Sequence, residues 1–396
     1  MEIRKIGLLG LTSTSINKGC EALTYAFLEM LKQYQDFSYE LYFIDGFSLY
    51  EFRTGKLFAR IKSENARFEE YGVSISRIFY RTLYNKILFS KEIRKLDICF
   101  DFTQGDSFTD IYGNARFNDW TKVKEYIINK GVPLVLGSQT IGPFHDKENE
   151  KRAAAVINSC KEVFARDKDS FEYTKSISGR TPILTTDVAF FLPYKDTGYK
   201  KSNKIGFNPS GLLWNGGYTS DNQFGLTMDY QDFCRKAITY AIKNGFEVHL
   251  IGHVVSDDLL QKDNDCVAIK ALHEEFPETI VAPMFDNPMD AKTYISNMSA
   301  FTGARMHATI ASISAGVPVL PFSYSRKFEG LFGTLKYEHI IHGKGDSLDE
   351  ALTKFRVFIE RSDDIIKDVN NSIIIINKMK RKMLQSYQNL LIEEDR

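Results

Sequence analysis

An arginine and a histidine two positions apart, Arg305 and His307, are the pair in this chain whose types and spacing best suit chemistry. An apolar run ends just before them at Gly303, an alanine-rich segment follows, and Gly316 separates that segment from a second apolar run at 317–320. This order predicts a strand, a helix and another strand, with the pair at the amino end of the helix. Unpaired backbone N–H groups and the helix dipole favour an anion there, so the sequence predicts a phosphate or carboxylate site.

Other polar residues follow the predicted strands in the same way, and in open α/β sheets ligands bind beyond the carboxyl ends of the strands. We therefore expect all of them to point into one cleft between two domains, a usual location for substrates. The candidates from the first domain are Asn17, Gly19, Asp106, Gln139 and Arg166, and those from the second are His253, Arg305, His307, Ser323, Tyr324 and Lys327.

The elements that must position these residues alternate between apolar strands and helical patterns. A helix is predicted over 20–31, and the predicted strands are 6–11, 39–44, 97–102, 134–136, 163–165, 205–207, 247–251, 279–281, 300–302 and 318–320. Such alternation is typical of an α/β chain with doubly wound parallel sheets. We predict two Rossmann-like domains facing across a cleft, a GT-B-like arrangement.

A Lys-, Gly- and Asp-rich stretch at 194–203 is the best candidate for a linker between the domains. The predicted domains are 1–196, on the acceptor side with part of the donor site, and 197–345, with the rest of the donor site. Residues 346–396 are highly charged with helical periodicity, so we expect a terminal helical segment that packs on the domains.

Composition excludes several classes of protein. With 396 residues, 43% hydrophobic and 26% charged, the chain has the profile of a soluble globular protein of more than one domain. Fifty-one basic and fifty-one acidic residues cancel, so no overall field attracts nucleic acid. Five scattered cysteines favour a reduced, cytoplasmic compartment, and the short apolar run near the amino terminus is expected to be a strand rather than a secretory signal.

Local charge is less even in residues 51–95, where eleven Lys or Arg face five acids, an excess of six positive charges. Aromatic residues are interleaved with them, among them Phe58, Phe79, Tyr80, Tyr84 and Phe89. The pattern favours helices with a solvated basic face over an apolar one. The alternative is a surface that contacts an anionic membrane or a lipid-linked diphosphate acceptor.

Several candidates also have purely structural explanations. Gly19 could simply permit a tight turn, Asp167 is expected to cap a helix, and His249 alternates inside a strand as a structural residue would. Arg166 and Arg305 are costly to bury without an anionic partner. That partner could be a substrate or a structural carboxylate, and the sequence leaves both open.

Six motifs, in order along the chain, resemble those of the polysaccharide pyruvyl transferase family. The first is Asn17-Lys18-Gly19-Cys20-Glu21-Ala22, and Gln104-Gly105-Asp106-Ser107-Phe108 resembles the family's glycine-rich turn. The others are the segment from Gly137 to Phe144, Arg166-Asp167 with Ser170, Asp187-Val188-Ala189-Phe190 before Leu192-Pro193, and a carboxyl-terminal signature. That signature comprises Arg305-Met306-His307-Ala308, Ala315-Gly316-Val317-Pro318 and Ser323-Tyr324-Ser325-Arg326-Lys327.

The resemblance implies transfer of a pyruvyl group from phosphoenolpyruvate to a sugar, forming a cyclic ketal and releasing phosphate. The donor carries a phosphate and a carboxylate, which arginine binds in a bidentate manner. On this basis Arg166 and Arg305 would hold the donor with help from Lys327. His307 would act as an acid or base, or donate a charged hydrogen bond to the phosphate. No cofactor is expected, because family members are generally not metal-dependent.

One departure concerns the glycine-rich turn, where the family often has consecutive glycines and this chain has Gln104. The glutamine could block close backbone approach or contact the acceptor.

Two rival functions remain possible from the sequence. A nucleotide-sugar glycosyltransferase uses the same architecture, although neither Glu329 nor Glu338 has a second glutamate eight positions on. A non-catalytic carbohydrate-binding protein could also use this fold, since fold alone does not fix function.

Overall fold

A computed structural model describes residues 3–34, 37–46, 49–80, 86–105, 108–196, 198 and 202–392. The chain divides into two compact units. The first comprises Met1–Ser15, Leu23–Val188 and Met379–Arg396, and the second comprises Ile16–Ala22 and Ala189–Lys378. The predicted linker at 194–203 therefore follows the start of the second unit.

The first unit contains a seven-stranded sheet in the order β3-β2-β1-β4-β5-β6-β7, and every neighbouring pair is parallel. Reversal of the order at β1 and β4 is the Rossmann-like arrangement, in which both faces of the sheet are covered by helices. The strands are β1 (Arg4–Leu9), β2 (Tyr39–Asp45), β3 (Ile75–Phe79), β4 (Ile98–Asp101), β5 (Leu134–Gln139), β6 (Glu162–Ala165) and β7 (Ile183–Leu184).

The helices between these strands bury one apolar face against the sheet. Phe108, Phe117 and Phe144 pack against one another beneath them, with ring centroids 5.5–6.5 Å apart. The helices are α1 (Lys18–Leu31), α2 (Leu49–Arg53), α3 (Lys56–Glu70), α4 (Lys86–Ile93), α5 (Asn114–Asn129), α6 (Lys147–Ser159) and α7 (Lys168–Ser178), with short 3₁₀ turns at Thr103–Gly105 and Val188–Phe191.

The second unit repeats the same topology with six parallel strands in the order β10-β9-β8-β11-β12-β13. The order reverses at β8 and β11, so this pair of strands marks the point where a ligand is expected. The strands are β8 (Lys204–Asn208), β9 (Glu247–Leu250), β10 (Ile280–Val281), β11 (Ala300–Gly303), β12 (Val319–Ser323) and β13 (Ile341–His342).

The helices of the second unit are α8 (Gly211–Trp214), α9 (Tyr230–Lys243), α10 (Asp265–Glu275), α11 (Pro288–Ile295), α12 (Met306–Ser314), α13 (Arg326–Thr334) and α14 (Leu348–Glu360). The predicted terminal helices are α14 and the long α15 (Ser362–Ile392). The end of α15 belongs to the first unit, where the buried ring of Tyr387 packs on Phe100 and Phe164 at centroid distances of 5.1 and 4.6 Å.

The fold class, an α/β chain with two Rossmann-like sheets, is confirmed. All ten predicted strands are present within three residues of their predicted ends, but three short edge strands (β3, β7 and β13) had no prediction. The strand β3 lies inside the basic stretch. Its polar residues Ser76 and Arg77 interrupt the apolar alternation that would have predicted a strand. Arg77 forms ion pairs with two acids instead of facing solvent. Its Nη2 lies 2.7 Å from Glu64, and its Nη1 pairs with Asp45.

Only part of the basic stretch at 51–95 is available as an exposed basic surface. Phe89 is buried in the core, and Arg60 lies within 3.7 Å of both Glu51 and Glu64. Tyr84 and Arg81 fall outside the described residues. The exposed part of the stretch includes a pair of rings on α2 and α3, Phe52 and Phe58, whose centroids are 5.9 Å apart and which are 50% and 61% exposed. Three exposed cations flank them: Arg53, Lys56 and Lys62.

Candidate functional site

The predicted anion site lies at the carboxyl end of β11 in the second unit. Gly303 ends that strand, Arg305 precedes α12, and His307 is the second residue of the helix. No side chain caps this helix start by a hydrogen bond. The position is therefore the one predicted, a helix amino terminus beside the point where the strand order reverses.

A buried carboxylate, Asp265 at the start of α10, holds Arg305 in place. Its Oδ1 accepts hydrogen bonds from Arg305 Nε at 3.0 Å and Nη2 at 2.7 Å. Burial lowers the pKa of Arg305, but the charge and hydrogen bonds of Asp265, together with the nearby Tyr324 and Asp263, raise it overall. Arg305 thus has the structural carboxylate that the sequence left open, and Nη1 remains without a hydrogen-bond partner among the described residues.

Asp265 organises more than the arginine. Its Oδ2 accepts the backbone N–H groups of His253 and Val254, both at 2.9 Å. Asn208, the last residue of β8, accepts the Arg305 backbone N–H at 3.0 Å and donates to Ile251 O at 2.8 Å. Neither Asn208 nor Asp265 was predicted as a site residue from the sequence. Applying the strand-end rule to β8 would have found Asn208, whereas Asp265 at a helix start resembles any first-turn acid.

The amino-terminal motif belongs to this same site. The backbone N–H of Lys18 donates to His253 O at 2.9 Å and that of Val255 donates to Ile16 O at 2.8 Å. These bonds explain why residues 16–22 belong to the second unit, whereas the sequence placed Asn17 and Gly19 in the first domain. Asn17 caps α1, since its Oδ1 accepts the Gly19 N–H at 2.9 Å.

Gly19 lies directly against the catalytic candidate. An ideal Cβ at this position would lie 2.3 Å from Nδ1 of His307 and 2.9 Å from its Cβ. Real Cβ atoms never approach so closely, so the histidine ring occupies the space that any side chain at position 19 would need. The glycine is therefore required here by close approach and not by a turn.

Lys18 and His253 also adjoin the residues at the start of α12. Lys18 Nζ is buried, lies 3.1 Å from Glu21 and donates to Asp286 O at 3.3 Å. His253 is only 3% exposed, and within the described part of the chain neither of its ring nitrogens has a hydrogen-bond partner. Burial lowers its pKa well below the usual range, and the charges of three neighbours act in the same direction: His307, Arg305 and Lys18.

The last predicted group of the second unit follows β12. Ser323 ends that strand and donates weakly to Ser325 O at 3.3 Å. Tyr324 is buried, and its hydroxyl also contributes to the raised pKa of Arg305, which places it near the arginine. Lys327 lies over the Tyr324 ring, with Nζ 5.5 Å from the centroid. This group therefore adjoins Arg305 through the tyrosine.

Arg166 and Gln139 form a separate group in the first unit, at the carboxyl ends of β6 and β5. Arg166 is 1% exposed and its Nη1 donates to Asp187 at 2.8 Å. Its Nε and Nη2 make no hydrogen bond to any residue that the structure describes. Asp167 caps α7 by accepting the Ser170 N–H at 2.7 Å, as predicted. The arginine is thus held between two buried carboxylates, since its Nε also lies 3.8 Å from Asp167.

Gln139 is fully buried and donates through Nε2 to Asp101 O at 2.8 Å. The Asp101 carboxylate forms a buried ion pair with Lys124 Nζ at 3.1 Å, and the same ammonium donates to Thr103 at 2.8 Å. Sequence reasoning did not find Lys124, because a single lysine within a helix resembles any solvated one. Here it fixes the turn that follows β4.

That turn is the glycine-rich motif with the departure at Gln104. Thr103, Gln104 and Gly105 all have positive φ, at 42°, 56° and 89°. A residue without Cβ is preferred in this conformation, which explains the family's glycines there. The Gln104 side chain accepts a hydrogen bond from Arg116 Nη2 at 2.6 Å. Asp106, the candidate next in the motif, lies outside the described residues.

Neither a metal-ligand cluster nor a membrane-spanning helix is found among the described residues. They contain no group of three or more His, Cys, Asp or Glu side chains that could hold a metal ion. Among them, no helix combines the length and the apolar character needed to cross a bilayer. His249 has the structural role predicted for it, with Nδ1 2.7 Å from Tyr294 and Nε2 2.8 Å from Glu247.

Comparison with known families decides what these motifs are. A sequence profile of the family described as polysaccharide pyruvyl transferase matches residues 17–326. The chain belongs to the polysaccharide pyruvyl transferase family. The match begins at Asn17, the cap of α1, and ends one residue before Lys327, so it spans the family resemblance found in the sequence.

Solved structures support the fold of this pyruvyl transferase family member. It is similar to UDP-GlcNAc 2-epimerase from Neisseria meningitidis, with a TM-score of 0.57 and 11% identity over 98% of this chain and all of that one. The S. aureus MnaA–UDP structure gives 0.58 and 11% over 98% and 97%. The epimerase from Methanocaldococcus jannaschii gives 0.55 and 8% over 96% and 100%. At such identities the likeness shows a shared GT-B-like fold only.

Proposed function

We propose that this protein transfers a pyruvyl group from phosphoenolpyruvate to a sugar of a polysaccharide or a lipid-linked glycan precursor, forming a pyruvate ketal. Membership of the family supports the general activity. The observation that supports the donor is the convergence of Arg305, His307, His253 and Lys18 at one helix start. A small anion such as phosphoenolpyruvate matches a helix start that brings together an arginine, a lysine and two histidines as potential hydrogen-bond donors.

The proposed reaction balances without a redox step or a further co-reactant. Protonation of the donor's methylene carbon gives a methyl group and an oxocarbenium-like centre at the adjacent carbon. One sugar hydroxyl forms a C–O bond there and releases its proton. A second hydroxyl of the same sugar forms the other C–O bond as the bond to phosphate breaks. One proton remains on the new methyl group, and the other is released to the phosphate or to solvent.

Within this scheme His307 is the proposed acid or base, or a charged ligand of the leaving phosphate. Arg305 would use the Nη1 left over from Asp265, and Lys327 would assist beside Tyr324. Arg166, with two donors not bonded to described residues, is proposed as a further donor ligand from the first unit. No cofactor enters the proposal.

The test is release of phosphate from phosphoenolpyruvate in the presence of candidate glycan acceptors, with mass analysis of the glycan. A gain of one pyruvyl ketal per phosphate released supports the proposal. Phosphate release without modification of any glycan, or no consumption of the donor with any acceptor, would contradict it. Turnover of a nucleotide sugar in a parallel assay would favour the glycosyltransferase alternative instead.

For location we propose a cytoplasmic enzyme with peripheral contact at the inner face of the membrane, where a lipid-linked acceptor would be found. The exposed rings of Phe52 and Phe58, flanked by three cations, support this placement. Aromatic rings insert at the headgroup level while basic side chains attract anionic lipid.

A further inference from the structure

His253 has a role that neither packing nor the hydrogen bonds of the fold explain. It follows β9 in the second unit, is 3% exposed, and both of its ring nitrogens lack a hydrogen-bond partner among the residues described. Buried polar groups in native proteins are almost always satisfied, so each exception needs an explanation. The buried His249, four residues earlier, has partners for both nitrogens. A buried histidine in this unit can therefore be satisfied by the fold, whereas His253 is not.

The backbone around His253 is held firmly. Its N–H donates to Asp265 Oδ2 at 2.9 Å, and its carbonyl accepts the Lys18 N–H at 2.9 Å. The same carboxylate binds Arg305, and Gly19, next to Lys18, contacts the His307 ring. Two independent segments thus tie His253 to the residues at the start of α12.

The charged groups facing His253 come from three elements. On α1, Lys18 is paired with Glu21 at 3.1 Å. On α10, both oxygens of Asp265 are already engaged by Arg305 and by backbone N–H groups. At α12, Arg305 and His307 add positive charge. A proton on His253 is opposed in this surrounding as long as no anion is bound, and burial opposes it further.

We propose that His253 is a further ligand of the anion at the start of α12, and that it takes up a proton as the anion binds. The inference rests on the donor site proposed above and adds a coupling between donor binding and protonation. A bound dianion supplies the acceptor that the ring lacks and reverses the local charge, so the charged form becomes favourable. Because the proton is bound only in the complex, donor affinity must rise as pH falls.

Sulfate is a suitable probe, since it remains a dianion across the relevant range and undergoes no turnover. Calorimetric titration of the full chain in two buffers of different ionisation enthalpy, at about pH 7 and about pH 8, measures protons taken up per anion. For the wild type we expect uptake of up to about one proton, and a dissociation constant that falls by up to about tenfold per pH unit.

Two substitutions and one control make the test specific. His253→Gln and His253→Asn should abolish the uptake and flatten the pH dependence, whereas His249→Gln should retain both. Uptake that persists in the folded His253 variants, or no uptake in the wild type, overturns the inference while leaving the donor site intact. If neither sulfate nor phosphoenolpyruvate binds the wild type, the donor site itself fails, and this inference fails with it.

If neither His253 variant folds, a titration of the wild-type protein still tests the inference. Ring signals of histidine-labelled protein followed by NMR should show one ring that takes up its proton at a lower pH than the other histidines without sulfate, and at a clearly higher pH when sulfate is added. If no ring behaves in this way, the inference is wrong.

Discussion

Gly19 and His307 stand so close that an ideal Cβ on the glycine would lie 2.3 Å from Nδ1 of the histidine. The relationship joins the first sequence motif to the last, because each residue determines where the other can be. The ring cannot move toward α1, and α1 cannot carry a side chain there.

Gly19→Ala tests this relationship. The added methyl must displace the His307 ring, and a displacement of about 1 Å at a catalytic group can cost on the order of a hundredfold in rate. We expect turnover in the phosphate-release assay to fall by about tenfold to a hundredfold. Gly333→Ala is the matched control, because nothing lies within 4 Å of a Cβ at that position. Equal turnover for the two variants would show that the ring position is not critical.

His307→Ala removes the proposed acid or base itself. Turnover at saturating donor should decrease by roughly a hundredfold or more, a typical general acid–base contribution. His145→Ala, which alters a largely exposed histidine, serves as the control. Near wild-type turnover in a folded His307→Ala protein would remove this residue from the mechanism.

The two arginines are tested by substitutions that retain charge and lose the planar fork. In Arg305→Lys and in Arg166→Lys, donor affinity measured by titration should weaken by about tenfold or more, as expected for lost hydrogen bonds to a charged group. Arg361→Lys, at an exposed pair with Asp364, should have no effect. Unchanged donor affinity in both site variants would refute the role of the arginines in binding.

Asp265→Asn should affect activity and stability together, although Asp265 is proposed to support Arg305 and not to bind the donor. Neutralising one member of a buried ion pair typically costs about 3–5 kcal/mol of unfolding free energy. Denaturant unfolding measures this loss, with Asp364→Asn as a surface control expected to lose less than about 1 kcal/mol. A small loss for Asp265→Asn would mean that the carboxylate is not needed to hold the arginine.

Membrane contact is tested by flotation with liposomes of anionic or neutral lipid, each at low and high salt. Binding should require anionic lipid and weaken with salt, since basic side chains contribute on the order of 1 kcal/mol each and are screened. The double variant Phe52→Ser with Phe58→Ser should bind less. Leu260→Ser is the control: Leu260 is 92% exposed but lies beside Asp257 and Asp258. Negligible binding under all four conditions would leave residues 51–95 as a solvated helical face.

Periodicity and turn residues were sufficient to predict the α/β class and the central strands, because each buried strand is a short apolar run with a polar end. The edge strand β3 escaped, since Ser76 and Arg77 make it look polar and only tertiary pairing with Asp45 and Glu64 buries the arginine. Such ion pairs join residues far apart in the chain, so no local pattern predicts them.

The residues of the candidate site likewise divide into those that a local pattern predicts and those that it does not. Arg305 and His307 were found because helix-start chemistry is local, and the family resemblance added Gly19 and Asn17. Asp265 was not found, since its importance lies in hydrogen bonds to two distant segments. The absence of partners around His253 could not be predicted either, because satisfaction of a ring nitrogen depends on the complete fold.

Backbone pairing between residues 16–18 and 253–255 has a consequence for biosynthesis. The ribosome makes Gly19 about 290 residues before His307, a delay of about 15–60 s at roughly 5–20 residues per second. For most of that time, until residues 253–255 are made, the amino-terminal motif has neither the histidine nor this segment to pair with. A nascent chain or fragment that stops before residue 253 can form much of the first sheet, yet its Asn17-Lys18-Gly19 segment has no template for its final conformation.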